Sequence, residues 1–300
     1  MSVGEPSVYL NGEFRPLHAA AVSPLDRGFL FGDGVYEVIP VYSGLPFRLE
    51  GHLERLRNSL AAVRIPDPHR RDAWAELIAE LIRHNGGGDL SVYLQVTRGA
   101  GPGRDHFFPT DARPTVFLMA SPLRPPAPEV LEQGIAAVTR RDYRWERCDI
   151  KAITLLPNVL LRQEAREAGC SEAILVRGDG RVHEGAASNL FAVIREALVT
   201  PPKDRFLLPG ITRDLVLELA RADGLAVEER PVDQAELAAA SEIWITSSTR
   251  EVLPVTRLDD RPVGEGRPGP LWHRVDGLIQ AHKRQWLADS GAHAAAEGRA

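Results

Sequence analysis

The chain has 300 residues, of which 44% are hydrophobic and 26% charged, and a formal net charge of −5. This mildly acidic balance lacks the electrostatic footprint of a nucleic-acid binder, and no apolar stretch approaches the ~20 residues that cross a bilayer. The two cysteines, Cys148 and Cys170, make neither a disulfide framework nor a zinc spacing, so no metal site is expected.

Residues 1–5 have neither the basic start nor the apolar block of a secretory signal, and a reducing cytoplasm is the expected compartment. A hairpin is predicted first, 8–10 against 13–15, turned by Asn11-Gly12. Residues 32–42, rich in β-branched and aromatic side chains, read as a strand ending at Ser43-Gly44. Helices follow at 49–63, where Leu53, Leu56, Leu60 and Val63 recur at helical spacing, and at 71–84, with Trp74, Leu77, Ile78 and Leu81 on one stripe. Strands are expected at 91–98 and 114–120. Pro122, Pro125, Pro126 and Pro128 then make a stiff connector.

Further on, strands are expected at 135–139, 172–176, 190–194 and 243–246, and helices at 158–168, 212–223 and about 271–287. Residues 291–300 are small and polar and read as a disordered tail. A chain of this length suggests two domains: a small N-terminal α+β domain over 1–121, a connector over 122–130 and a larger C-terminal domain over 131–290.

Chemistry concentrates at Lys151, set among Ile150, Ile153, Leu155 and Leu156. A buried ammonium is costly unless paired or neutralised, and a neutral lysine amine is suited to condensation with a carbonyl. The plain alternative is a lysine that snorkels to water. Glu184 follows in Val182-His183-Glu184-Gly185-Ala186-Ala187-Ser188-Asn189. It is the kind of acid that partners a pyridinium nitrogen, although taken alone it reads equally as a hairpin-edge carboxylate. Pro209-Gly210-Ile211-Thr212 places a glycine turn and a hydroxyl where a helix starts. That arrangement binds phosphate and also occurs as a simple N-cap.

Thr246-Ser247-Ser248-Thr249 is a second hydroxyl cluster, and Arg55 is a candidate cation; a strand cap and a solvated arginine are the alternatives. His69, His84 and His282 lack metal-ligand companions and read as surface residues. His183 is expected to point away from Glu184, its neighbour on a strand. The run Arg140-Arg141-Asp142-Tyr143-Arg144-Trp145 reads as a strand and loop leading into the lysine segment.

Phe31-Gly32-Asp33-Gly34-Val35-Tyr36-Glu37, His52-Leu53-Glu54-Arg55-Leu56, Asp149-Ile150-Lys151, Glu184-Gly185 with Ser188-Asn189, and Leu208-Pro209-Gly210-Ile211-Thr212-Arg213 occur in this order. Together they resemble the fold-type IV (class IV) pyridoxal-phosphate aminotransferases, and most closely the D-amino acid transaminases, over roughly residues 8–278. The resemblance implies a small α/β sandwich-like N-terminal domain and a larger α/β barrel-like C-terminal domain, with pyridoxal 5′-phosphate lying between them. By the same resemblance Lys151 would carry the cofactor covalently and shuttle the substrate proton. Glu184 would pair with the ring nitrogen, and Ser188 and Asn189 would lie beside the cofactor. Arg55, Gly210, Ile211, Thr212, Ser248 and Thr249 would hold the phosphate, and Leu208 would pack on the ring. Tyr36 and Val38 would face the substrate.

In the D-amino acid enzymes of this family an Arg-x-His pair on a loop of the neighbouring subunit holds the substrate α-carboxylate together with the tyrosine. Arg104-Asp105-His106 matches it, in a loop one residue longer than usual through Gly103, and Ala187 stands where a serine is common. The resemblance implies a homodimeric D-amino acid transaminase acting on D-alanine or D-glutamate and a 2-oxo acid such as 2-oxoglutarate. A branched-chain L-amino acid transaminase, an (R)-amine transaminase and a 4-amino-4-deoxychorismate lyase are the alternatives of the same fold. A cofactor-binding protein without turnover is the alternative of a different class.

Overall fold

Asn11 (φ 48°) and Gly12 (φ 104°) turn the first hairpin in the computed structural model, which describes residues 5–297; positive φ at both positions is what a tight two-residue turn requires. Residues 1–4, read above for a secretory signal, and 298–300 lie outside the described residues. The chain divides into two units: 1–124 with 150–155, and 125–149 with 156–300.

Unit 1 comprises β1 (Ser7–Leu10), β2 (Glu13–Pro16), α1 (Arg27–Phe31), β3 (Gly34–Tyr42), β4 (Leu45–Pro46), α2 (Leu49–Ala62), α3 (Arg71–His84), β5 (Leu90–Thr97) and β6 (Thr115–Pro122). The strands form one six-stranded sheet in the order β2-β1-β6-β5-β3-β4. Alternation along β3, β5 and β6 sorts the side chains by face. Val35, Ile39, Val92, Leu94, Val96 and Leu118 are buried with Leu53, Leu56 and Leu60 of α2 and Trp74, Ile78 and Leu81 of α3. Tyr36, Val38, Tyr93 and Gln95, on the opposite face, are half-buried.

The strand predicted from 32 begins at Gly34 instead. Gly32 ends α1 in a left-handed conformation (φ 67°), and a Cβ there would run into Thr154. Sequence position puts the lysine segment in the C-terminal domain, yet residues 150–155 pack with unit 1. The reason is an open strand edge. Tyr36 N donates to Lys151 O (3.0 Å) and Ile153 N to Gly34 O (3.1 Å), while Ile150 and Ala152 enter the unit 1 core.

Unit 2 comprises α4 (Pro128–Gln133), β7 (Ile135–Arg141), α5 (Leu156–Glu167), β8 (Glu172–Val176), β9 (Arg181–Gly185), β10 (Asn189–Ile194), β11 (Ala197–Thr200), α6 (Ile211–Ala222), β12 (Val227–Glu229), β13 (Val232–Asp233), α7 (Gln234–Ala238), β14 (Glu242–Ser247), β15 (Glu251–Leu258), β16 (Arg261–Pro262) and α8 (Pro270–Glu297). Six strands close on themselves, β9-β10-β14-β15-β7-β8 and back to β9, giving the barrel-like sheet that the resemblance implies. Every residue of β8, β10 and β11 is buried, which is why these strands read as unbroken apolar runs rather than alternating ones.

Two boundaries differ from expectation. Part of the proline connector is helical, because Pro128 sits at the start of α4, where its missing N–H costs nothing. The tail expected to be disordered from 291 continues α8 as far as Glu297, in keeping with the helix propensity of its alanines.

Candidate active site

Lys151 is half-buried in unit 1. Its backbone is fixed on both sides: its N donates to Ser59 Oγ (3.2 Å) and its carbonyl accepts from Tyr36 N (3.0 Å). Its Nζ stands 4.1 Å from the Tyr36 ring centroid. The sheet therefore delivers a lysine amine onto the face that also carries Val38, whose register partner on β5 is Tyr93. Burial, reinforced by Tyr36, pushes the Tyr93 hydroxyl up to about 12, so Tyr93 is a neutral hydrogen-bonding group that donates to Gln95 Oε1 (2.6 Å).

Glu37, one residue along β3, points to the helix face and is fully buried. Arg55 of α2 donates to it twice, Nε to Oε1 (2.7 Å) and Nη2 to Oε2 (2.8 Å), and His52 Nδ1 lies 2.8 Å from Oε2. Burial alone would raise this carboxyl. The charge and bonds of Arg55, with the His52 bond, outweigh it and hold Glu37 far below the usual carboxylate range. His52 is lowered by burial against the pull of Glu37, so its imidazole is neutral at physiological pH. Arg55, the expected phosphate cation, is thus already locked in a planar, two-bond grip.

Arg104 and His106 lie on the loop between β5 and β6. Both rest on Phe31, the Arg104 guanidinium 5.0 Å and the His106 ring 5.3 Å from its centroid.

In unit 2 the centre is Glu184 of β9, 4% exposed. Its Oε1 accepts from Arg144 Nη1 (2.7 Å). Its Oε2 accepts from Leu208 N (2.9 Å) and Asn189 Nδ2 (3.3 Å). Asn189 Nδ2 also donates to Leu208 O (2.8 Å), so Glu184 and Asn189 together fix the backbone of the loop before α6. Arg144 is not Glu184's alone. Its Nε and Nη2 grip Asp142 (both 3.0 Å), which is itself buried. Arg177 approaches Asp142 at 3.9 Å and Glu146 at 3.8 Å. Burial raises Glu184 to about 7 against the pull of Arg144 and the Leu208 amide, and the Asp142 charge adds to the rise.

The start of α6 completes this half. Gly210 is its N-cap and no side chain caps it, which leaves the first-turn amides of Ile211 and Thr212 available to an acceptor. A Cβ on Gly210 would overlap Asn189 Oδ1. Thr246 stands opposite Asn189 in the β10–β14 register, and its Oγ1 is buried with no hydrogen-bond partner. Ser248 and Thr249 form the half-buried turn after β14. Ser188, expected to contact the cofactor, instead donates its hydroxyl to buried Glu172 (3.0 Å).

His183 points to Asp204 (3.8 Å) and the Phe206 ring, away from Glu184 as alternation requires. His69, expected on the surface, is half-buried against the Trp74 ring (4.6 Å). Sequence reasoning misses Arg144 and Asp142, which read only as a connecting loop, and gives Glu37 and His52 no role. An acid and an arginine on opposite sides of a lysine segment carry no local signal. Glu37 carries one: an acid at a core-facing strand position needs a buried cation.

The amino-transferase class IV family pattern matches residues 34–258. D-alanine aminotransferase of Bacillus licheniformis is 42% identical over 273 residues, covering 91% of this chain and 95% of that protein. The protein of the same name from Staphylococcus epidermidis is 37% identical, covering 92% and 98%. Among solved structures, branched-chain amino acid aminotransferase of Escherichia coli superposes with a TM-score of 0.83 at 30% identity, covering 91% of this chain and 92% of the other. The branched-chain amino acid aminotransferase of Thermoproteus uzoniensis with norvaline superposes with 0.83 at 27% identity, covering 92% and 94%.

Proposed function

The chain belongs to the class IV aminotransferases, and on that premise we propose that it is a pyridoxal-phosphate-dependent D-amino acid transaminase. It moves the amino group of a D-amino acid, of the D-alanine or D-glutamate type, to a 2-oxo acid such as 2-oxoglutarate. Relatives bearing the D-alanine aminotransferase name at 37–42% identity support this over the branched-chain reading, whose structural neighbours reach 27–30%.

The observation that carries the reading is the imbalance around Arg144. One guanidinium grips two buried carboxylates, Asp142 and Glu184, and burial raises Glu184 to about 7 in spite of it. A protonated pyridine nitrogen beside Glu184 would add a positive charge that favours its ionised form. The orphaned Thr246 hydroxyl and the uncapped start of α6 fit a phosphate in the same way. When bound, the cofactor provides an electron-accepting ring that stabilises negative charge at the substrate Cα.

The residues divide the work. Lys151 would be the residue that holds the cofactor through its aldehyde carbon, and its amine would move the proton at the substrate Cα. Glu184 would keep the ring nitrogen protonated, and Arg144 orients Glu184. Asn189 sets the Leu208 backbone against the same carboxylate. Ile211, Thr212, Ser248 and Thr249 would bind the phosphate, and Arg55, held in place by Glu37, would supply positive charge to it. Tyr36 and Val38 line the substrate side, and Arg104 with His106 binds the α-carboxylate of a substrate held by the neighbouring subunit.

A homodimer follows from that last assignment. Leu156, Val159 and Leu160, 68%, 58% and 48% exposed, share one face of α5, a surface suited to a second copy. Among the described residues no helix is long and apolar enough to cross a membrane. The free thiols of Cys148 and Cys170 suit a reducing cytoplasm.

The test is a half-reaction screen. Bleaching of the cofactor absorbance by D-alanine and D-glutamate, and not by L-leucine, is the expected result. Bleaching by L-leucine alone would transfer the assignment to the branched-chain class.

A further inference from the structure

Arg27 is buried, 5% exposed, and none of the roles above uses it. Its Nε donates to Asp33 Oδ2 (2.8 Å). The other side of the guanidinium meets the β5–β6 loop, where Nη1 donates to the carbonyls of Asp105 (2.5 Å) and Phe107 (3.2 Å). Nη2 donates to that of His106 (3.4 Å). Three consecutive backbone carbonyls converge on one cation, directly beside Arg104.

Asp33 is held from its other side by Arg98, Nε to Oδ2 (2.8 Å) and Nη2 to Oδ1 (2.9 Å). Arg98 also donates to the carbonyls of Val63 (2.7 Å) and Arg64 (2.9 Å) at the end of α2. Its guanidinium lies 3.6 Å from the Phe108 ring centroid. The Phe31 ring, against which Arg104 and His106 rest, has Arg27 at 4.7 Å. The loop is therefore pinned by two planar cations that share one carboxylate, and the aromatic rings Phe31 and Phe108 form its supports.

Charge-assisted bonds of this kind are short and directional. A loop this long with no strand or helix of its own would otherwise sample many conformations, and a carboxylate-binding arginine must be placed to within a fraction of an ångström. We propose that Arg27, Asp33 and Arg98 form a positioning unit that presets the Arg104–His106 loop, and so determines affinity for the α-carboxylate of amino- and oxo-acid substrates without touching them. The inference rests on reading Arg104 and His106 as the carboxylate donors.

The test compares Arg27→Lys with Arg104→Ala in the holoenzyme. A lysine keeps the charge but lacks the fork that spans Asp33 and the three carbonyls. R104A is expected to raise KM for D-alanine and 2-oxoglutarate about a hundredfold; R27K is expected to raise it about tenfold, and for R27K kcat at saturation and cofactor affinity stay nearly unchanged. If R104A raises KM and R27K does not, the positioning unit is refuted. So it is if R27K lowers kcat and cofactor affinity while raising KM, the pattern of general damage. If R104A itself leaves KM unchanged, the carboxylate reading fails and this inference with it. Should R27K not fold, Arg98→Lys probes the same unit from its other arm, with the same split expected.

Discussion

Unit 1 buries Glu37 against Arg55 and unit 2 buries Glu184 against Arg144, and these two glutamates end in opposite electrostatic states. Glu37 accepts two bonds from Arg55 and one from His52 and is held far below the usual range. Glu184 accepts one bond from Arg144 and rises to about 7. Distance does not separate them, since both ion pairs close at 2.7 Å. What separates them is whether the neighbours outweigh burial: Arg55 and His52 do so at Glu37, while Arg144 and the Leu208 amide do not at Glu184. Arg55 gives Glu37 two planar bonds, whereas two of the three Arg144 nitrogens are turned to Asp142. A carboxylate with its own arginine is a structural brace; one that shares its arginine with a second acid remains open to a further positive charge.

Lys151→Ala sets the upper end of the scale. It should abolish turnover and the cofactor absorbance near the visible edge, and a variant retaining both would overturn the lysine assignment. Next in size, Glu184→Gln should lower kcat roughly a hundredfold or more, because a charge aimed at the reacting ring is lost. The matched change Glu37→Gln should act on stability, by about 3 kcal/mol, since it strands a buried guanidinium. Urea denaturation and kcat at full cofactor loading read the two quantities separately. Exchanged phenotypes would reverse the roles assigned to the two acids.

The pH dependence sharpens the contrast. With its folded-state pKa raised from 4.5 to about 7, Glu184 holds a proton that the unfolded chain has released over that window. Its contribution to apoprotein stability therefore falls as pH rises from about 4.5 to about 7, by on the order of 3 kcal/mol, and E184Q should lose that part of the slope. Glu37 behaves oppositely: its contribution is full above the unfolded-state value of 4.5 and is lost as pH falls through and below it. Melting curves of the wild type, E184Q and E37Q across this range check both signs.

Asp142→Asn should give Glu184 sole use of the Arg144 charge and shift that window down by about one pH unit. The smallest effect expected is at Gly103, where an added Cβ meets nothing within 4 Å. Gly103→Ala should change stability by less than about 0.5 kcal/mol, and a larger loss would mean the lengthened loop depends on that glycine.

Sequence pattern is most reliable where periodicity is long. Residues 71–84 form a helix with the expected ends, and 172–176 a strand, because burial imposes one spacing throughout. It is least reliable where contacts are distant. Helix α1 is five residues long and defined by its caps, Asp26 accepting from Gly28 N and Gly32 in the left-handed region. Nothing around Lys151 announces that its segment pairs with β3, more than a hundred residues earlier. Ser188 reads as a cofactor contact from its place in a motif, but the acid that takes its hydroxyl, Glu172, lies on a different strand. The residue types of the site are legible in the sequence; which side chain supports which is not.

Nuclear magnetic resonance of the holoenzyme loaded with cofactor isotopically labelled at the pyridine nitrogen asks directly what Glu184 does. A ring nitrogen protonated in the wild type up to pH values well above neutrality, and unprotonated in E184Q, is the predicted result. An unprotonated nitrogen in the wild type, or one indifferent to the substitution, would contradict the account of the shared arginine and the acid it leaves unsatisfied.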